Sequence, residues 1–124
     1  MSVLESGEMY LETLLILSRE KNLVRAIDIA EHMGFSKPAV SRALGKLRDE
    51  QLILTDNEGF IAFTEKGRGL AEKIYKRHIL LTEVLEQIGV SRETAAADAC
   101  KIEHIISDET FEALKRHVGV PTKG

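Results

Sequence analysis

The stretch VRAIDIAEHMGFSKPAVSRALGKL, Val24 to Leu47, decides the fold. Ala26, Ile29, Ala30 and Met33 recur at the i, i+3, i+4, i+7 spacing of an amphipathic helix over about Val24–Met33. Gly34 follows, free to adopt φ > 0 and stop the helix. Ser36 is a natural N-cap, and Pro38 falls in a first turn where no intrahelical N–H is needed. Val40, Leu44 and Leu47 then form the inward stripe of a second helix to about Glu50. A small residue at Ala30, a glycine four on and a β-branched residue six further is the spacing of a helix-turn-helix. The alanine admits close approach of the helices, the glycine makes the turn, and the valine packs one helix on the other. The outer side of the second helix carries Ser36, Lys37, Pro38, Ala39, Ser41, Arg42 and Lys46, a small and basic face that suits the major groove of DNA. A helical hairpin with a solvated face is the plainer alternative.

The flanking residues argue against that alternative. Leu52–Thr55 and Phe60–Phe63 read as short strands separated by Asp56, Asn57, Glu58 and Gly59, which makes a hairpin directly after the second helix: a wing. Upstream, residues 8–20 form a helix with Tyr10, Leu14 and Leu17 on one stripe, Leu11 and Leu15 beside it, and Glu8, Glu12 and Arg19 facing away. Within the groove face, Ser36, Pro38, Ala39 and Arg42 are assigned to bases and Lys37, Ser41 and Lys46 to phosphates.

Thr64 caps a long helix from Glu65 to about Ile88, with Leu70, Ile74, His78, Leu81, Leu85 and Ile88 on its inner stripe. Gly89 ends it, Ser91 caps the next helix, and Ser107 starts a last one to about His117. Cys100, Glu103 and His104 stand at i, i+3 and i+4, so sulfur, oxygen and nitrogen share one helix face. Such a trio is half a metal site, and a transition ion needs further donors from elsewhere. The expected architecture is mainly α: a winged helix-turn-helix domain at 1–64, an all-helical dimerisation and metal-binding domain at 65–120, and a tail at 121–124.

Composition narrows the functional classes. The 124 residues include 44% apolar side chains and one cysteine, with a net charge of −3. No apolar run is long enough to cross a bilayer, and the N-terminus lacks a signal peptide's basic and apolar regions. A lone cysteine points to a reducing cytoplasm. The overall charge does not favour nucleic acid, but Lys37, Arg42, Lys46 and Arg48 cluster on one helix, and Lys66, Arg68, Lys73, Lys76 and Arg77 on another. An enzyme using Cys100 as nucleophile and His104 as base lacks an oxyanion loop and an orienting third group, and no His-Glu-x-x-His occurs. The reading is therefore not an enzyme. A winged-helix regulator independent of metal is the rival.

Together, Glu8–Thr13, Val24–Glu31, Arg77-His78 and Ala99–Glu109 resemble the diphtheria-toxin-repressor family of iron- and manganese-dependent transcriptional regulators, over residues 6 to about 118. The resemblance implies a homodimer that binds palindromic operator DNA when metal is present, with no membrane and no small-molecule substrate. In the iron-sensing branch the regulatory ligands fall on Met9, Cys100, Glu103 and His104. The manganese-sensing branch has an aspartate at Met9 and a glutamate at Cys100, and adds ligands that fall on Glu12 and His78. Thiolate and thioether favour the softer ions, so Fe(II) is the expected activator. Mn(II) is the alternative, and Co(II), Ni(II) and Zn(II) are expected substitutes in vitro. Two ancillary ligands of the iron-sensing branch are replaced by Thr82 and Ala96, and the chain ends before an SH3-like domain. A rebuilt ancillary site is expected to pair His78 with Glu12 or Glu83.

Overall fold

The structure, a computed structural model, describes residues 5–118; the tail expected at 121–124 lies outside them. The order is α1 (Glu5–Glu20), α2 (Ala26–Met33), α3 (Lys37–Asp49), β1 (Ile53–Thr55), β2 (Ile61–Phe63), α4 (Glu65–Gln87), α5 (Arg92–Ile102) and α6 (Asp108–Val118). The fold is mainly helical. The chain divides into two compact units, Met1–Lys73 and Ile74–Gly124, with the division falling inside α4.

In the first unit α1 packs on α2 and α3, and β1 packs on α3. Leu11, Leu14, Ile29, Val40, Leu44 and Leu52 are buried at its core. α2 starts two residues later than its apolar pattern suggests. Arg25 is its N-cap in extended backbone, and the Val24 carbonyl accepts from Ile61 N–H at 2.8 Å, which draws that residue towards the hairpin. Asp28 Oδ2 accepts from Arg25 N–H at 2.9 Å and so closes the first turn. Gly34 adopts φ +72° and ends α2, while Ser36 Oγ accepts from Ala39 N–H at 3.3 Å to begin α3. The helix-turn-helix is therefore built by the residues whose spacing announced it.

The wing is a two-stranded antiparallel sheet with Ile53 opposite Phe63, Leu54 opposite Ala62 and Thr55 opposite Ile61. Asp56 Oδ1 accepts from both Glu58 and Phe60 N–H at 2.9 Å, and Gly59 takes φ +89°. The side-chain turn at Asp56 closes the hairpin together with the backbone bond from Asp56 N–H to the Phe60 carbonyl at 3.0 Å. Glu12, expected to face solvent, is buried at 5% exposure.

In the second unit Ile74, Leu81, Ala95, Ala99 and Phe111 are buried. Ser91 Oγ accepts from Thr94 N–H at 3.3 Å and Ser107 Oγ from Thr110 N–H at 3.0 Å, so both expected caps operate. Ile88 departs from the expected inner stripe and is 72% exposed. It lies one residue past α4, its N–H still donating to the Val84 carbonyl at 3.2 Å, just before Gly89 turns the chain at φ +108°. Among the described residues no helix is long and apolar enough to cross a membrane.

Candidate metal centre

α5 ends at Ile102, so the trio at Cys100, Glu103 and His104 straddles a helix end. Glu103 is the C-cap and keeps helical backbone (φ −60°, ψ −23°), its N–H donating to the Ala99 carbonyl at 2.9 Å. The His104 N–H donates instead to Lys101 at 3.4 Å, a tighter turn. The face that an uninterrupted helix would present thus survives one residue past its end. Cys100, Glu103 and His104 each offer a donor atom, and these donors lie within 4.8 Å of one another.

Burial and pairing shape this cluster. Glu103 is fully buried, and the His104 side chain is 1% exposed with Nε2 3.4 Å from Glu103 Oε2. His78 Nδ1 lies 2.9 Å from Glu103 Oε1, so α4 orients the carboxylate. His78 therefore pairs with Glu103. Glu83, one of its expected partners, is exposed, since five residues along a helix turn a side chain to the opposite face. Thr82 Oγ1 donates to the His78 carbonyl of its own helix at 2.8 Å. The donor set itself fits a divalent transition ion: a soft thiolate, a borderline imidazole and a hard carboxylate. Ligand atoms sharing one ion at about 2.0–2.3 Å sit about 3–4 Å apart, so only small shifts separate this arrangement from coordination.

In the first unit, Met9 is half-buried and lines a cavity of about 350 Å³ with Tyr10, Met33, Phe35 and Ala43. Of the groove candidates on α3, Ser36, Lys37, Pro38, Ser41, Arg42 and Lys46 are exposed and Ala39 is half-buried. The Ser36 hydroxyl is engaged in capping the helix. Arg48 Nη1 donates to Thr55 Oγ1 at 3.2 Å, which fastens the end of α3 to the wing.

Residues 2–59 match the family described as iron dependent repressor, N-terminal DNA binding domain, and residues 64–124 match iron dependent repressor, metal binding and dimerisation domain. The HTH-type transcriptional regulator MntR of Geobacillus kaustophilus is 38% identical over 110 residues, covering 88% of this chain and 77% of that protein. The chain belongs to the iron-dependent repressor family. Iron-dependent repressor IdeR of Mycobacterium tuberculosis is 31% identical over 121 residues, 97% of this chain and 53% of IdeR. The solved structure of the manganese regulator SloR superposes with a TM-score of 0.81 at 30% identity, covering 98% of this chain and 56% of SloR. This member of the family thus spans about half the length of those two relatives.

One residue of this repressor-family chain has a larger structural role than its sequence context suggests. Arg77 is buried at 9% exposure, and its guanidinium bonds to the Glu103 and Ile106 carbonyls and the Asp108 carboxylate. The signal was its position, three residues after Ile74 and four before Leu81, on the buried stripe.

Proposed function

We propose that the protein is a metal-activated transcriptional repressor that acts in the cytoplasm as a homodimer on palindromic operator DNA, with Fe(II) as its activating ion. The convergence of Cys100, Glu103 and His104 donors within 4.8 Å carries this reading. Met9 and Glu12 of α1 are proposed to complete the ligand set, with His78 acting on the carboxylate of Glu103. The functional boundary is placed at 64/65, with DNA binding before it, dimerisation and metal binding to about 120, and a tail at 121–124.

A divalent ion, if bound by Met9, Glu12, Cys100, Glu103 and His104, would supply Lewis-acid bonds to donors that lie on both sides of the proposed 64/65 boundary. Restricting one domain against the other narrows the spacings that two recognition helices of a dimer can take, and only one spacing fits successive major grooves. The exposed basic residues Lys37, Arg42 and Lys46 favour α3 as the helix that enters the groove. The wing tip carries exposed Asp56 and Glu58, whose acidic side chains disfavour phosphate contacts there. Ile79, Ile88 and Ile105 are exposed at 42%, 72% and 72% in the second unit, apolar surface suited to pairing with a second copy.

By linkage, operator DNA must tighten metal binding by the factor by which metal tightens DNA binding. Anaerobic selection from a randomised duplex library with Fe(II) yields the probe, which is then titrated with and without the ion. Enriched duplexes should be palindromic and released by a chelator. Duplex retained equally after chelation establishes the rival, a winged-helix regulator independent of metal. A second reading, activation by Mn(II), draws on Glu103 and the buried Glu12, both hard oxygen donors.

A further inference from the structure

Arg77 places a buried cation at the end of α5. Its Nη1 donates to the carbonyl oxygens of Glu103 at 3.4 Å and Ile106 at 2.9 Å, and its Nη2 donates to the Asp108 carboxylate. The guanidinium also lies 5.4 Å from the centroid of the Phe111 ring. The three acceptors belong to the C-cap of α5, the turn after it and the first residue of α6. A helix C-terminus leaves carbonyls without intrahelical donors, and a buried one needs partners from outside. Here one planar fork supplies them for the turn that carries Glu103 and His104.

We propose that Arg77 is a positioning residue for the metal ligands: it fixes the Glu103–Asp108 turn so that the Glu103 carboxylate and His104 imidazole hold their donor spacing before an ion arrives. The inference rests on the metal-site reading above and extends it to a residue that donates nothing to the metal. Arginine suits the task because its donors diverge in one rigid plane and reach backbone and carboxylate acceptors together. A lysine in its place offers a single ammonium, which satisfies part of that set and leaves the turn free to relax. His78 holds the side chain of Glu103 from the same helix, and Arg77 holds its backbone. The two neighbours thereby fix one ligand at both ends.

The rival is a structural bolt that joins α4 to α6 and leaves the folded ligand geometry untouched. Co(II), added anaerobically to the full chain, separates the two. Its thiolate charge-transfer band reports Cys100, and its d–d bands report coordination geometry. Arg77→Lys should weaken Co(II) affinity about 10- to 100-fold, the range for losing a group that orients a ligand. It should also alter the d–d spectrum at saturation. Asp108→Asn, which spares both carbonyl contacts, should give a smaller loss in the same direction. Wild-type affinity and spectrum in the variants, with only a lowered urea midpoint, overturn the proposal. If Arg77→Lys fails to fold, Asp108→Asn decides by the same readouts. Wild-type protein showing no thiolate band would instead remove the metal reading itself, and this inference with it.

Discussion

Gly67→Ala should destabilise the first unit although alanine is the better helix former. A Cβ on Gly67 would stand 1.9 Å from the Leu52 carbonyl oxygen, 2.8 Å from its carbon and 3.1 Å from its Cα, where ordinary contact begins at 3.4 Å. These are backbone atoms at the entrance to β1, so no flexible side chain can swing aside. The same carbonyl accepts from Thr64 N–H at 3.1 Å, and Thr64 Oγ1 donates to the Gln51 carbonyl at 2.7 Å while accepting from Gly67 N–H at 3.0 Å. Pushing α4 away strains all three bonds. Overpacking costs about 1–3 kcal/mol, and loss of one hydrogen bond adds about 1 kcal/mol. Helix propensity returns about 1 kcal/mol. The net loss is about 1–3 kcal/mol, a fall of about 1 M in urea midpoint for a small domain. Gly69→Ala in the same helix is the control, because nothing lies within 4 Å of its added Cβ. It should gain about 0.5–1 kcal/mol. Urea unfolding of metal-free protein, followed by helical circular dichroism, gives both numbers. Two shifts of the same sign would refute the close-approach argument.

The Asp28 carboxyl is held below its ordinary value of 3.8, first by the hydrogen bond from Lys21 and then by the Arg25 N–H. Its contribution is therefore present above the unfolded value and lost as pH falls through the lower folded one. Asp28→Asn should lower the urea midpoint at pH 7, and the gap from wild type should close in strong acid; a pH-independent gap defeats this. Arg42→Ala should relax preference at one base pair by about 1–3 kcal/mol in competition binding if its guanidinium reads a guanine, and unchanged preference removes it from the reading set. Lys46→Ala should weaken all sequences alike and reduce the salt slope by about one unit, a slope left intact excluding a phosphate contact. Met9→Asp with Cys100→Glu should move activation of operator binding from Fe(II) towards Mn(II), measured by anaerobic titration with each ion. Equal response of wild type to both ions would end the argument from sulfur ligation.

Most of the architecture was legible because it is local. Ser36, Ser91 and Ser107 cap helices they immediately precede, Gly34 and Gly59 occupy turns that need positive φ, and Val40 and Leu44 repeat with helical period. Such signals act within a few residues, so one sequence contains both the cause and its effect. The pattern failed where a helix stopped. Ile88 continued the apolar stripe on paper, but α4 ends at Gln87 and the side chain opens to solvent. The donor trio also crosses a helix end, and the Glu103 N–H bond to the Ala99 carbonyl at 2.9 Å preserves its i, i+3 relation to Cys100.

The polar interior was hidden for a different reason. Glu12 and Arg77 are ionisable residue types, which a period count places outside, yet both are buried. For Arg77, what overturns the rule is a set of partners 26 to 31 residues away. His78 signals itself by chemistry, and its carboxylate partner Glu103, 25 residues away, could be sought among a few acids. Two of the three acceptors of Arg77 are backbone carbonyls, at Glu103 and Ile106. Every residue has a carbonyl, so side-chain pattern alone does not mark these two as receiving a guanidinium. The helix end that frees them is itself set by the cap at Glu103 and the restart at Ser107. Arg77 becomes readable once those ends are located: a buried cation three residues after Ile74, facing the negative end of a helix dipole that requires one.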